Sequence, residues 1–443
     1  MTDTPTHASH AAEIAQSADL RSDWSPEHAF AAALFDGLAA DGAGTIGITR
    51  DTYGDGEQRA HDRVRALALT LGLEVQTDSA LNLYLTFPGI DRRLPAAMTG
   101  SHLDSVPCGG NFDGAAGVVA GLTVFARWRR LGLIPPYDCT VMAIRAEESA
   151  WFPISYIGSK AAFGLLGADA LAALRDDTGR SLSSHIAALG GSPADIAQIA
   201  QGHAFLDPSH ISRFIELHIE QGPVLLDRQV PVGIVTGIRG AFRFRHAHAE
   251  GQYAHSGAAP RATRKDAVLT TAKFIAGLET DWDALENAGC DIVVTCGKFA
   301  TDPVRADFSK VSGDVRFTLD VRSFETHTLD DMEARVVKRA RTLSAESGVR
   351  LTLGEITRSA PAVMDTRLRA ALHTAATSLG INAMELASGA GHDTATFAHQ
   401  GVPSAMIFVR NEHGSHNPDE AMTLEDFIAG TQLLEAVLKQ PAF

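Results

Sequence analysis

Cysteine is scarce in this chain. There are four in 443 residues, at Cys108, Cys139, Cys290 and Cys296, and no two form a Cys-x-x-Cys pair. That argues against a disulfide scaffold or a thiolate zinc finger and points to a reducing compartment. Basic residues are outnumbered: 38 Lys and Arg against 53 Asp and Glu leave a net charge of −15. So acidic a surface repels phosphate backbones, and no nucleic-acid partner is expected. Long apolar runs are missing too. The longest, Ala115 to Ala126, is too short to span a bilayer, and the first residues lack the basic start and apolar core of a secretory leader. A soluble cytoplasmic protein with no membrane partner is the expectation. Repeats and low-complexity tracts are also lacking.

What remains has an ordinary globular composition, 45% apolar and 21% charged. The length suggests about two or three domains. Residues 1 to about 25 are polar with Ala-rich patches, and the first dozen are expected to be disordered. Beyond them, apolar runs of strand length alternate with helix-length segments. Ala96–Ser101, Thr140–Ala146, Arg213–Leu217 and Ser404–Val409 are near-continuous runs, as in strands buried on both faces of a parallel-rich sheet. The alternation predicts an α/β fold. Between 236 and 358 the texture changes. Phe242, Phe244, His246 and His248 alternate at period two and read as one face of a strand. A helix from about Lys265 to Leu278 follows, then strands over Asp291–Phe299 and Asp314–Val321. A second helix from about Thr328 to Glu346 and a strand over Arg350–Glu355 complete a β-α-β-β-α-β order. That order is ferredoxin-like. The predicted architecture is a catalytic domain in two pieces, 1–235 and 359–443, interrupted by a small α+β domain at 236–358.

Four chemistry-bearing motifs follow strand runs. His102 and Asp104 end the first and lead into Asp113 in a Gly-rich turn. Glu147-Glu148 ends the second, His218 the third, and His416 follows the fourth. Ligands of open α/β sheets bind beyond the carboxyl ends of the strands. His102, Asp113, Glu148, His218 and His416 therefore form a candidate metal site, with imidazole and carboxylate donors suited to Zn, Mn, Co or Ni. Five ligands are too many for one catalytic zinc and suit two metals bridged by a carboxylate, for which Asp113 is the natural choice. Asp104 is spaced to hold the His102 imidazole from behind. Of the adjacent pair Glu147 and Glu148, one can bind metal while the other faces an activated water as general base. Cys108 reads as a small packed loop residue, with a metal-proximal thiol as the alternative. Gly389-Ala-Gly391-His392-Asp393 reads as a turn capping a helix, its His a possible support for the site. Trp151 reads as core ahead of pocket wall.

These strings resemble the peptidase family M20 superfamily and, within it, the hydantoinase/carbamoylase amidases. The resemblance rests on Gly100-Ser-His-Leu-Asp-Ser-Val106, Gly109-Gly-Asn-Phe-Asp-Gly114, Glu147-Glu148, Glu216-Leu-His-Ile-Glu-Gln-Gly222, His255-Ser-Gly257, Gly389-Ala-Gly-His-Asp393 and Gly414-Ser-His-Asn-Pro418. The His-Ile-Glu-Gln-Gly string is the most specific, since general M20 peptidases carry Asp or Glu where His218 stands. The resemblance implies that His102, Asp113 and His218 hold one divalent metal, and that Asp113, Glu148 and His416 hold a second. Glu147 becomes the general base. His255, from the inserted domain, becomes the oxyanion donor, supplied in this superfamily by the neighbouring subunit of a homodimer. Arg322 binds the substrate carboxylate and Gln221 lines the pocket. Ser309 stands where the family's substrate-holding Asn is usual, and Ala254 where relatives often carry Asn or Asp. The implied reaction is hydrolysis of the ureido bond of an N-carbamoyl-L-amino acid. Allantoate or N-acyl amino acids are the alternative substrates. A non-catalytic binding protein on the same fold is the rival from another class, and its signature, loss of Glu147 or a ligand, is not seen.

Overall fold

The computed structural model describes residues 22–199 and 204–441, so the expectation of disorder over the first dozen residues lies outside them. The chain divides into two compact units. One holds the described residues up to Thr236, Met364–Leu386 and those from His392 onward; the other holds Gly237–Val363 and Ala387–Gly391.

The first unit opens with helices α1 (Ser25–Gly42) and α2 (Asp55–Thr70). On α2, Ala60, Val64 and Ala68 turn inward, at the spacing of one helical face. Strands β1 (Glu74–Thr77), β2 (Leu83–Phe87) and β3 (Ala96–His102) follow, then α3 (Ala115–Leu131), β4 (Cys139–Ile144), β5 (Ile211–Ile219) and β6 (Val232–Ile238). Every residue of β4 is buried, and nearly every one of β3 and β5. Strands covered on both faces have no polar side to show, which accounts for the unbroken apolar runs.

The second unit is built on two long antiparallel strands, β7 (Gly240–Glu250) and, after the short β8 (Ala254–His255), helix α4 (Ala267–Asn287), β9 (Val293–Thr295), β10 (Phe299–Thr301) and β11 (Lys310–Val311), the strand β12 (Asp314–Ser323). Helix α5 (Thr326–Ser347) and strands β13 (Arg350–Thr352), β14 (Ile356–Ser359) and β15 (Ala362–Val363) complete it. Phe242, Phe244, Phe317 and Leu319 pack against Phe274 and Leu278 of α4 and Met332 and Val336 of α5. β8 and β11 form a separate two-stranded ladder.

Three expectations are corrected in this unit, the first by a bulge in β7. Phe317 pairs with Ala247, but Leu319 pairs with Phe244, so β7 carries one extra residue. The extra residue reverses the alternation. Phe242 and Phe244 are buried, His246 is exposed, and it is Ala247 that points inward next. The histidines and phenylalanines therefore do not share a face. The expected Asp291–Phe299 strand is likewise two pieces, β9 and β10, pairing with β12 on either side of Thr318, which bonds Lys298 in the gap. The expected Arg350–Glu355 strand stops at Thr352 and resumes at Ile356, around Gly354 at φ +77°. Both helices run longer than expected, to Asn287 and from Thr326.

The chain then returns to the first unit with α6 (Thr366–Leu379), β16 (Ala383–Ser388), α7 (Thr394–His399), β17 (Ser404–Val409) and α8 (Leu424–Leu438). The strand order β1-β2-β4-β3-β5-β17-β6 makes a mixed sheet. β3, β4, β5 and β17 run parallel to their neighbours among these four. β2, β1 and β6 add antiparallel margins. The sheet expected to be rich in parallel strands is a mixed one, with a parallel centre and antiparallel margins.

Candidate metal centre

β3, β4, β5 and β17 lie side by side and parallel, so their carboxyl ends form one rim. His102 is the last residue of β3 and His218 the penultimate residue of β5. Glu147 and Glu148 follow β4, and His416 follows β17. Asp113 sits just before α3. The helix opens at Gly114, whose φ is +68°. A Cβ there would come within 2.4 Å of the His102 ring, so only glycine lets the turn approach the imidazole so closely.

His102, Asp113 and His218 converge, and so do Asp113, Glu148 and His416. Asp113 belongs to both sets. Its Oδ1 lies 3.2 Å from His218 Nε2 and 3.6 Å from His102 Nε2, and His416 Nε2 lies 3.3 Å from Glu148 Oε1. The outer nitrogens are committed elsewhere. His218 Nδ1 donates to the Ile219 carbonyl at 2.9 Å, and His102 Nδ1 faces the Asp104 carbonyl at 3.0 Å and its carboxylate at 3.3 Å. Both Nε2 atoms therefore turn toward Asp113 Oδ1, and His218 Nε2 also accepts from the Gly114 N–H at 3.1 Å. Lone pairs gathered on one buried point ask for a cation, and the donor set fits a borderline divalent metal.

The titrating side chains of the site shift one another. For His102, burial disfavours the cation, but Asp104 and Glu147 overcome it and raise its pKa well above the imidazole range. His218 is also raised, the Asp113 bond prevailing over burial. His416 is pushed up to about 9, chiefly by Glu148. Burial lifts Asp113, but the hydrogen bond and charge of His218 and the charges of His102 and His416 bring it well below the usual carboxylate range. Glu147 differs. Burial, with Glu148 nearby, holds it well above the carboxylate range despite His102, the direction that suits a general base near neutrality.

A supporting ring holds the ligands. Asp104 receives the backbone N–H groups of Glu147 and Glu148 at 3.0 and 3.2 Å and the Thr52 hydroxyl at 2.6 Å. Gln221 donates from Nε2 to Asp113 Oδ2 at 2.8 Å, and the Ser415 hydroxyl donates to the same oxygen. Gln221 thus touches the shared carboxylate itself. Glu420 takes the N–H groups of Phe112 and Asp113. Glu216 ties β3 to α7, accepting from the Ser101 hydroxyl at 2.6 Å and from the Thr394 N–H and hydroxyl at 3.1 and 2.5 Å. With His218 and His392 it forms a third convergent set, but its oxygens already have these partners. Fully buried Arg50 donates to the Leu103 carbonyl and to Asn111.

Cys108 is exposed, which corrects the packed-loop reading. The turn at φ +54° points its side chain outward while its N–H is held by Thr49. Trp151 is half-buried, donates to the Ser105 carbonyl and lies under Arg175. Asp393 opens α7 without a side-chain cap, and its Oδ1 accepts from Ser159 at 2.5 Å instead.

The remaining expected residues belong to the second unit. His255 is exposed, and its Nδ1 accepts from the N–H groups of Gly257 and Ala258, both at 3.1 Å. An accepting Nδ1 leaves the proton on Nε2. The Ser256 N–H bonds the Ser309 carbonyl, so His255 and Ser309 flank the small β8–β11 ladder. The Ser309 hydroxyl donates to Asp307 at 2.7 Å. Arg322 bonds Asp320 through Nε and Nη2 and the Gly389 carbonyl through Nη1.

Histidines and carboxylates gathered at the carboxyl rim of an α/β sheet are the layout of a metal-using hydrolase. The profile of peptidase family M20/M25/M40 matches residues 98–440. An N-carbamoyl-L-amino acid amidohydrolase from Geobacillus stearothermophilus is 35% identical over 389 residues, covering 88% of this chain and 92% of that protein. An allantoate amidohydrolase from Bacillus subtilis is 30% identical over 408 residues, covering 92% and 95%. Among solved structures, a hydantoinase/carbamoylase family amidase from Burkholderia ambifaria superposes with a TM-score of 0.76 at 28% identity, over 93% of this chain and 96% of that one. The chain belongs to peptidase family M20/M25/M40. No helix among the described residues is long and apolar enough to cross a membrane.

Proposed function

We propose that this hydrolase cleaves the ureido C–N bond of an N-carbamoyl-L-amino acid, releasing the amino acid and carbamate, which falls apart to carbon dioxide and ammonia. The observation that carries the reading is Asp113, one carboxylate shared by two convergent ligand sets. In this reading His102, Asp113 and His218 hold one divalent ion and Asp113, Glu148 and His416 a second, drawn from Zn, Mn, Co or Ni. When bound, such ions polarise a carbonyl and lower the pKa of water. Glu147 takes a proton from the attacking water and returns it to the departing amino-acid nitrogen, so the same carboxyl serves both halves of the reaction. The His255 Nε2–H stabilises the charge that develops on the carbonyl oxygen. Arg322 takes the substrate carboxylate, its guanidinium plane set by Asp320. Gln221 and Ser309 flank the substrate.

The second unit acts as an inserted lid and dimerisation domain, and His255 reaches the active site of the partner subunit of a homodimer. The protein is cytoplasmic. The relatives named N-carbamoyl-L-amino acid amidohydrolase support the substrate class over allantoate, since the Geobacillus protein is 35% identical and the Bacillus allantoate enzyme 30%. Ammonia release from a panel of N-carbamoyl amino acids, allantoate and N-acyl amino acids, with metal analysis on the same protein, tests it. Turnover of allantoate alone would replace the substrate, and no hydrolysis of any of them by metal-loaded protein would end the reading.

A further inference from the structure

The turn after β4 is held in an unusual way. Three consecutive N–H groups, of Ala146, Glu147 and Glu148, all donate to side-chain carboxylates. Ala146 donates to Glu57 Oε1 at 2.9 Å, and the next two donate to the two oxygens of Asp104. Ala146 has φ +57°, a conformation that residues with a Cβ seldom adopt. Successive N–H groups around a left-handed residue make a concavity that binds anions. Here the chain fills it with two of its own carboxylates.

Both carboxylates answer to one short upstream segment. The Thr52 hydroxyl donates to Asp104, and the Tyr53 N–H donates to Glu57 Oε2 at 2.6 Å. Glu57 itself lies in the first turn of α2 and is fully buried. Arg145 Nη1 donates to its Oε2 at 3.1 Å, which leaves Oε1 to Ala146. The segment lies upstream of residues 98–440, the stretch matched by the family.

We propose that Glu57 is a positioning residue for the Glu147 carboxylate, acting through the backbone of Ala146. The chain leaves β4 at Ile144 and turns through the left-handed Ala146 immediately before Glu147. Glu57 Oε1 is the acceptor that fixes that residue. The proposal rests on the reading of Glu147 as the general base. Its rival is a purely electrostatic role, in which Glu57 only balances the buried Arg145 guanidinium.

Two substitutions separate them. Glu57→Gln removes the charge and leaves one acceptor oxygen for the three N–H donors of Ala146, Tyr53 and Arg145. Glu57→Asp keeps the charge and withdraws the oxygen by one methylene. Positioning predicts that Glu57→Asp loses ~10²-fold in kcat, the scale of a misplaced catalytic group, with KM and metal content by elemental analysis unchanged. It predicts that Glu57→Gln, whose one oxygen serves Tyr53 and Arg145 and whose amide nitrogen then faces Ala146, also loses kcat when assayed below its melting range, where a purely electrostatic role predicts a lower Tm alone. Wild-type kcat in Glu57→Asp overturns the proposal. So does metal loss in step with kcat, which would place the effect on the ligands. If Glu57→Asp does not fold, wild-type kcat in folded Glu57→Gln overturns it as well. Glu147→Gln is run in parallel: retained turnover there removes the base assignment and the proposal with it, whereas its loss beside an active Glu57→Asp removes the proposal alone.

Discussion

Asp320 grips Arg322 at two points, Nε to Oδ1 at 3.1 Å and Nη2 to Oδ2 at 3.0 Å, although the two residues stand only two apart on the same strand. The pair fixes the plane of the guanidinium. A lysine keeps the charge but has neither the fork nor the plane. Arg322→Lys should therefore raise KM for the ureido acid substantially while metal content stays constant. Capping the substrate carboxylate as an amide should hurt the wild type far more than the variant. Equal discrimination by both proteins would take the carboxylate away from Arg322.

The same pair makes a pH prediction. Burial alone would raise the Asp320 carboxyl, but Arg322 and Arg243 hold it below the usual carboxylate range. With the folded pKa below the unfolded one, the stabilisation is present above the unfolded value, about 3.9, and is lost as pH falls through the folded value. Wild type and Asp320→Asn should differ in Tm at neutral pH and converge in acid. A Tm gap that stays constant into acid would mean that the ion pairs contribute nothing.

Glu147 and Glu148 should separate cleanly. Glu147→Gln is expected to bind metal as the wild type does and to lose ~10²-fold or more in kcat, the scale of general-base loss. Glu148→Gln should bind metal more weakly. The opposite pattern would exchange their roles.

Chelation should abolish turnover, and Zn, Mn, Co or Ni should restore it. Full activity in protein shown by elemental analysis to be free of metal would refute the metal assignment.

If His255 acts on the partner's site, two inactive variants should complement each other. Mixed subunits carrying Glu147→Gln and His255→Ala bring an intact Glu147 and an intact His255 together at one site. Dissociated, mixed and reassembled protein should recover activity that neither variant has alone. A monomer by light scattering at full activity, or no recovery on mixing, would return His255 to its own chain.

Much of the fold was legible because burial on both faces leaves a plain signature. The Ser404–Val409 run is a strand over that same range, and His, Asp and Glu following such runs had to share a rim once the strands lay parallel. The bulge in β7 had no such signature. Phe242-Arg-Phe-Arg-His-Ala-His-Ala-Glu250 alternates without a break in sequence, and only the partner strand reveals the extra residue. The supporting ring was also hidden. Glu57 stands in the first turn of an amphipathic helix, where an acid ordinarily faces water and favours the helix dipole. Nothing local says that it is buried against Arg145. Arg50, equally buried, looks in sequence like any surface arginine. Asp104 was readable because its two-residue spacing from His102 is a local fact, whereas Thr52 reaches Asp104 only through the fold.

The place of β17 between β5 and β6 governs how the molecule comes into being. β5 and β6 are close in sequence, yet they are separated in the sheet by a strand drawn from Ser404–Val409. As the chain leaves the ribosome, β5 and β6 therefore wait with an open slot while the whole second unit is synthesised. An unpaired, apolar strand edge is the kind of surface that recruits other chains. The second unit, nearly contiguous and with a core of its own, can be complete before that slot is filled. Nascent chains that stall before residue 404 should thus be the ones that chaperones hold and aggregates collect.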